Sequence, residues 1–179
     1  MPGVVTTKVG FTGGTTKNVT YRTLGDHTES VVLEYDPEEI TYGDLLRKFW
    51  SLHNPTVVHG SQYMSAIFYH NSKQKMEAEQ SMNDHQKTIS PPIVTKIKKA
   101  ETFYDAEDYH QKYILRQHHE IFDSLNLSDE DLITSHVAAR LNGYLGGYST
   151  IEAFEEESED LGLVPKVKSL VLKKLQHKL

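Results

Sequence analysis

Val4-Val5-Thr6-Thr7-Lys8-Val9-Gly10-Phe11-Thr12-Gly13-Gly14 is the stretch from which the fold of this chain can be read. Its valines and threonines are β-branched and stiff at χ1, which suits a pleated strand, and the glycine pair stops it. Outward from it, Ser30 to Tyr35 reads as a second strand, with Val31, Leu33 and Tyr35 on one face and Val32 and Glu34 on the other. Asp36-Pro37 ends that strand. Thr41 is placed to cap a helix from Tyr42 to about His53, with Asp44 completing a capping box. Leu45, Leu46, Phe49 and Trp50 form its apolar stripe, and Pro55 terminates it. Ser65 to Tyr69 follows as a short buried strand, Asn71-Ser72 leads into a polar helix over 73–87, and Ile93 to Ala100 alternates as another strand. Asp105 to about Phe122 reads as helix. The fold class is α+β.

From Leu127 the character changes. Ser128-Asp129-Glu130-Asp131 is a helix start, with acids at the positive end of the dipole. Leu132, Ile133, Val137 and Leu141 give an apolar stripe that Gly143, Gly146 and Gly147 end. Thr150 opens an acidic helix stopped by Gly162, and Pro165 suits the first turn of a last helix lined by Val167, Leu170, Val171 and Leu175. Two parts are expected: an α+β domain over 1–122 and a helical C-terminal extension over 123–179.

Composition narrows the function. A formal charge of −6 argues against nucleic acid or an anionic membrane as partner, and no apolar run is long enough to span a bilayer. The chain has no cysteine, which removes disulfides, thiolate metal sites and thiol redox chemistry from these 179 residues. Met-Pro-Gly-Val-Val-Thr-Thr-Lys is neither a signal nor a transit peptide, so the expected location is cytoplasmic. No cofactor is expected. His110 and His118 are two helical turns apart and His118-His119 point in different directions, so no metal site is expected there either.

Four segments, in this order, carry a resemblance: Val9-Gly10-Phe11-Thr12-Gly13-Gly14; Thr20-Tyr21 with His27-Thr28-Glu29; Gln62-Tyr63-Met64-Ser65-Ala66-Ile67; and Phe103-Tyr104-Asp105-Ala106-Glu107-Asp108-Tyr109-His110-Gln111. Together, over roughly residues 3–116, they resemble peptide methionine sulfoxide reductase of the A type. That resemblance implies reduction of methionine-S-sulfoxide, in oxidised proteins or as the free amino acid. In the family a cysteine thiolate attacks the sulfoxide sulfur, the oxygen stays as a sulfenic acid, and methionine leaves. A second thiol then forms a disulfide that thioredoxin reduces. Glu29 matches the family's proton donor, a glutamate whose burial against apolar walls would favour its neutral form. Tyr21 and Tyr63 match the two tyrosines that hydrogen-bond the sulfoxide oxygen. Taken singly, Glu29 also reads as an exposed loop carboxylate, Tyr21 as half-buried strand packing and Tyr63 as a core phenol.

There are departures. The family's Gly-Cys-Phe-Trp-Gly motif lies upstream of the VGFTGG-like segment, and here Met1 to Lys8 is all that precedes Val9. Val58 stands where the family's bacterial and mitochondrial members place an aspartate ahead of the second tyrosine. The resemblance implies a ferredoxin-like sandwich, and this chain would lack its first strand and helix. Unpaired strand edges and uncovered apolar surface would follow, at roughly 1–3 kcal/mol for each unsatisfied buried backbone group. The expectation is therefore a truncated member without reductase activity, retaining the groups on the oxygen side of the site. The alternative is a non-catalytic binding or regulatory protein.

Overall fold

The computed structural model describes residues 1–177. Among the described residues, five strands run over Val4–Thr12 (β1), Thr28–Tyr35 (β2), Ala66–Tyr69 (β3), Lys96–Lys99 (β4) and Tyr104–Asp105 (β5). The α-helices of the described residues cover Tyr42–Ser51 (α1), Ser72–Gln86 (α2), Tyr113–Arg116 (α3), His119–Leu125 (α4), Asp129–Thr134 (α5), His136–Leu145 (α6), Ile151–Glu157 (α7) and Pro165–Gln176 (α8). The strands form two sheets. One has the order β2-β1-β5, with β5 antiparallel to β1 in the register Gly10↔Asp105 and Phe11↔Tyr104. The other pairs β3 with β4 in parallel, from Ala66↔Lys96 to Tyr69↔Lys99. The class is α+β.

Where local chemistry is explicit, the elements follow it. Thr41 and Asp44 make the capping box of α1, Asn71 caps α2, Ser128 caps α5, Thr150 caps α7, and Pro165 opens α8. Three expectations are corrected. The strand expected over 93–100 is ordered as strand only over Lys96–Lys99. The helix expected over 105–122 is broken, because Tyr104–Asp105 joins β1 and Lys112 lies in the left-handed region at φ 50°. Two short helices, α3 and α4, replace it. The stripe from Leu132 to Leu141 is likewise split at Ser135, whose hydroxyl accepts from Ala138 N–H at 3.0 Å and starts α6 afresh.

The chain divides into two compact units, one of Met1–Val4 with Val9–Glu107, the other of Val5–Lys8 with the residues from Asp108 onward. In the first, apolar burial is split between two small clusters. Phe11, Val19, Leu24 and Ala106 form one, and Leu46, Trp50, Ile67 and Ala78 the other. α1 lies on α2, and Trp50 Nε1–H donates to Ser81 Oγ at 3.1 Å. In the second unit a single core takes fully buried Leu115, Leu132, Leu141, Leu145, Phe154 and Val171. Leu115 and Ile121, which the sequence assigns to the α+β part, pack here. Arg140 grips Glu157 through two bonds, Nε–H to Oε1 at 2.5 Å and Nη2–H to Oε2 at 2.6 Å, and the Tyr144 hydroxyl also donates to Glu157. Lys112 is buried, its ammonium donating to the carbonyls of Thr7 and Ile133, and burial pushes it down to about 8. His136 Nδ1 bonds the Val5 carbonyl at 2.7 Å.

Candidate functional site

The glycine-rich end of β1 organises the site. Gly10 lets β5 approach, since a Cβ there would stand 2.2 Å from the Tyr104 carbonyl oxygen. At Gly13 the chain turns with φ +81°, and a Cβ would stand 2.5 Å from the Phe68 ring. Lys98 Nζ donates to the Gly13 carbonyl at 2.6 Å. The residues after the turn are tied to the segment that leads into β2. Asp26 accepts from the backbone N–H groups of Thr15 and Thr16 at 2.9 and 3.1 Å and from both hydroxyls. Those donors, the backbone ones first, hold its carboxyl far below the usual carboxylate range.

His27 makes the second tie. Its Nδ1 accepts from Gly14 N–H at 3.3 Å, which leaves Nε2 to donate to the Thr16 carbonyl at 2.8 Å. The ring is buried, edge-on to Tyr104 with centroids 5.5 Å apart. Thr28 follows, and its hydroxyl donates to the Ser61 carbonyl at 2.9 Å, fixing the single-turn 3₁₀ segment Ser61–Tyr63 beside the start of β2. One residue further along each segment, Gln62 Nε2–H donates to Glu29 Oε1 at 2.7 Å.

Tyr21 arrives from another single-turn 3₁₀ segment, Tyr21–Thr23, capped by Thr20 in a capping box with Thr23. Its backbone N–H donates to Glu107 Oε1 at 2.9 Å. The phenols of Tyr21 and Tyr63 hydrogen-bond each other. The negative charge of Glu29, then that of Tyr21, push the Tyr63 hydroxyl above its ordinary value. Glu29 and Tyr21, close in sequence, are thus brought together with the distant Tyr63.

Two expectations about these residues are corrected. Glu29 is exposed, not enclosed by apolar walls. Tyr21 sits in a 3₁₀ turn with its side chain 40% exposed, and Tyr63 is 59% exposed, so neither phenol is strand or core packing. Val58 is exposed as well. Among the described residues no group of three or more His, Cys, Asp or Glu side chains is arranged to hold a metal ion. The residues that position the trio, Asp26, His27, Thr28 and Gln62, carry no role in the sequence analysis. The signal for the first three was their adjacency to Glu29, and for Gln62 its adjacency to Tyr63.

An exposed carboxyl group at the start of β2, beside two phenols carried on 3₁₀ turns, gathers hydrogen-bonding groups that suit a single polar oxygen atom. The family model for peptide methionine sulfoxide reductase matches residues 1–150, beyond the 3–116 over which the motifs carry the resemblance. The chain is 46% identical over 166 residues to a peptide methionine sulfoxide reductase of Drosophila melanogaster, covering 91% of this chain and 68% of that protein. It is 44% identical over 131 residues to the enzyme MsrA of Methanococcus maripaludis, covering 68% of this chain and 83% of the relative. With peptide methionine sulfoxide reductase A5 of Arabidopsis thaliana the figures are 43% over 150 residues, 79% of this chain and 59% of the plant protein. Among solved structures, methionine sulfoxide reductase A of Corynebacterium diphtheriae superposes with a TM-score of 0.60 at 34% identity over 65% of each chain. Reduced Mxr1 of Saccharomyces cerevisiae gives 0.58 at 30% identity, covering 64% of this chain and 72% of that one. The chain belongs to the peptide methionine sulfoxide reductase family, of the A type. No helix among the described residues is long and apolar enough to cross a membrane.

Proposed function

We propose that these 179 residues carry the oxygen side of a methionine sulfoxide reductase site. Tyr21 and Tyr63 hydrogen-bond the sulfoxide oxygen and Glu29 supplies its proton. The observation that carries this is the convergence of the three groups through the Thr28–Ser61 and Gln62–Glu29 bonds. Sulfoxide oxygen is a strong acceptor with a large partial negative charge, and two phenols with one carboxylic acid match it with three donors. The complete activity in this family context is reduction of peptide-bound and free methionine-S-sulfoxide in the cytoplasm, repairing oxidative damage with thioredoxin as reductant.

These residues do not perform that reduction alone. Taking oxygen from sulfur needs a soft nucleophile, and none of the side chains present is a thiol. Purified chain with dithiothreitol is expected to reduce methionine-S-sulfoxide no faster than a no-protein blank. Calorimetric titration tests the binding part. Saturable heat is expected with methionine-S-sulfoxide and a roughly tenfold weaker constant for Tyr63→Phe, the loss of one hydrogen bond to a strongly polar acceptor. Glu29→Ala is expected to fall at least as far. No heat from the unaltered chain would overturn the proposal and leave the alternative, a protein that acts through other contacts.

A further inference from the structure

We infer that Gln62 is a positioning residue for Glu29: its side-chain amide occupies Oε1, so the transferable proton of Glu29 resides on Oε2. This rests on the proposed role of Glu29 and deepens it. An amide –NH₂ is a donor only. The carbonyl oxygen of a neutral carboxyl group accepts far better than its hydroxyl oxygen, so the Gln62 N–H at 2.7 Å makes Oε1 the carbonyl oxygen and leaves the proton on the other. Glu29 is exposed, and its carboxyl group would otherwise rotate freely between equivalent arrangements. Gln62 removes that freedom because its own backbone is fixed. Tyr63 N–H donates to the Gly60 carbonyl at 3.0 Å, and the Thr28 hydroxyl holds the Ser61 carbonyl at 2.9 Å.

The same bond helps on the product side. When the proton leaves Oε2 for the sulfoxide oxygen, Glu29 becomes a carboxylate, and the Gln62 N–H···Oε1 bond becomes charge-assisted and stronger. An interaction that strengthens as charge develops lowers the barrier to proton transfer, which a bond of constant strength does not do. Gln62 thereby acts through Glu29 rather than on the sulfoxide.

The test is a double-mutant cycle read by calorimetry with methionine-S-sulfoxide as the probe, on the full chain, with melting curves to establish that each variant is folded. Gln62→Leu is expected to weaken binding about three- to tenfold, as a hydrogen bond to an exposed carboxyl group allows. In the Glu29→Ala background the same substitution is expected to change nothing. A second readout is spectroscopic. The Nε2 protons of Gln62 are expected downfield of an exposed amide in the unaltered chain and back at the exposed position in Glu29→Ala. An equal loss from Gln62→Leu in both backgrounds, or no loss in either, would overturn the inference while leaving Glu29 in its role. Binding untouched by Glu29→Ala would instead sink the role of Glu29 itself, and the inference with it.

Discussion

The two units of this chain distribute their apolar burial differently. The helical unit buries Leu115, Leu132, Leu141, Leu145 and Phe154 completely in one apolar core. The α+β unit divides its apolar burial between two small clusters and fixes its turns with hydrogen bonds from side chains to backbone. Asp26 and His27 hold backbone groups of the neighbouring Thr15–Thr16 turn, and Thr28 and Lys98 hold backbone groups of segments far away in sequence. Apolar packing is non-directional and stabilises volume, whereas a hydrogen bond specifies distance and angle. In the α+β unit such bonds set the two 3₁₀ turns that carry Tyr21 and Tyr63.

If that contrast holds, the largest single loss of stability comes from the apolar core. Phe154→Ala is expected to cost about 3–5 kcal/mol, as a fully buried aromatic leaves a cavity its neighbours fill only in part. Urea titration followed by hydrogen exchange checks it, and a cost under about 1 kcal/mol would break the comparison. Next is Gly13→Ala, expected to cost about 2 kcal/mol because an alanine is strained at φ +81° and its Cβ meets the Phe68 ring. Its diagnostic readout is local: protection of the amides of Gly14, Thr15 and Thr16 should fall, and with it the affinity for methionine-S-sulfoxide. Loss of stability with those amides still protected would mean the turn does not depend on Gly13.

The smallest effect concerns Lys112. Burial lowers it to about 8 in the folded chain, below the ordinary lysine value of 10.5. Below pH 8 it is charged in both states, and the full penalty of burying that charge is present. Between about 8 and 10.5 the unfolded chain binds the proton more tightly, so stability rises with pH across that window. Melting temperature is expected to gain about 3–6 °C between pH 7.5 and 9.5 relative to Lys112→Met, in which the rise should vanish. A parallel pH dependence in the two proteins would sharpen the comparison differently, by removing Lys112 as an electrostatic weak point of the helical unit.

Much of this was legible from local chemistry alone. The caps at Thr41, Asn71, Ser128 and Thr150 and the proline of α8 sit where their side chains demand. What periodicity could not supply was the break in 105–122. It depends on Tyr104–Asp105 pairing with a strand nearly a hundred residues earlier, and on Asn142 Oδ1 accepting the Leu115 N–H at 3.1 Å. The same limit applies to the site. Motifs located Glu29, Tyr21 and Tyr63, and charge and hydrogen bonding bring them together. Their exposure, and the part taken by Gln62, depend on which turn meets which strand, and no single segment encodes that.

The central claim is that turns fixed by directional bonds form a sulfoxide-binding site without any thiol. Its most direct test is a ¹⁵N–¹H titration of the full chain with methionine-S-sulfoxide. Saturable shifts at Tyr21, Glu29, Gln62 and Tyr63, with the residues from Asp108 onward unmoved, are the result this account predicts. Shifts absent from those four residues, or confined to the helical unit, would contradict it.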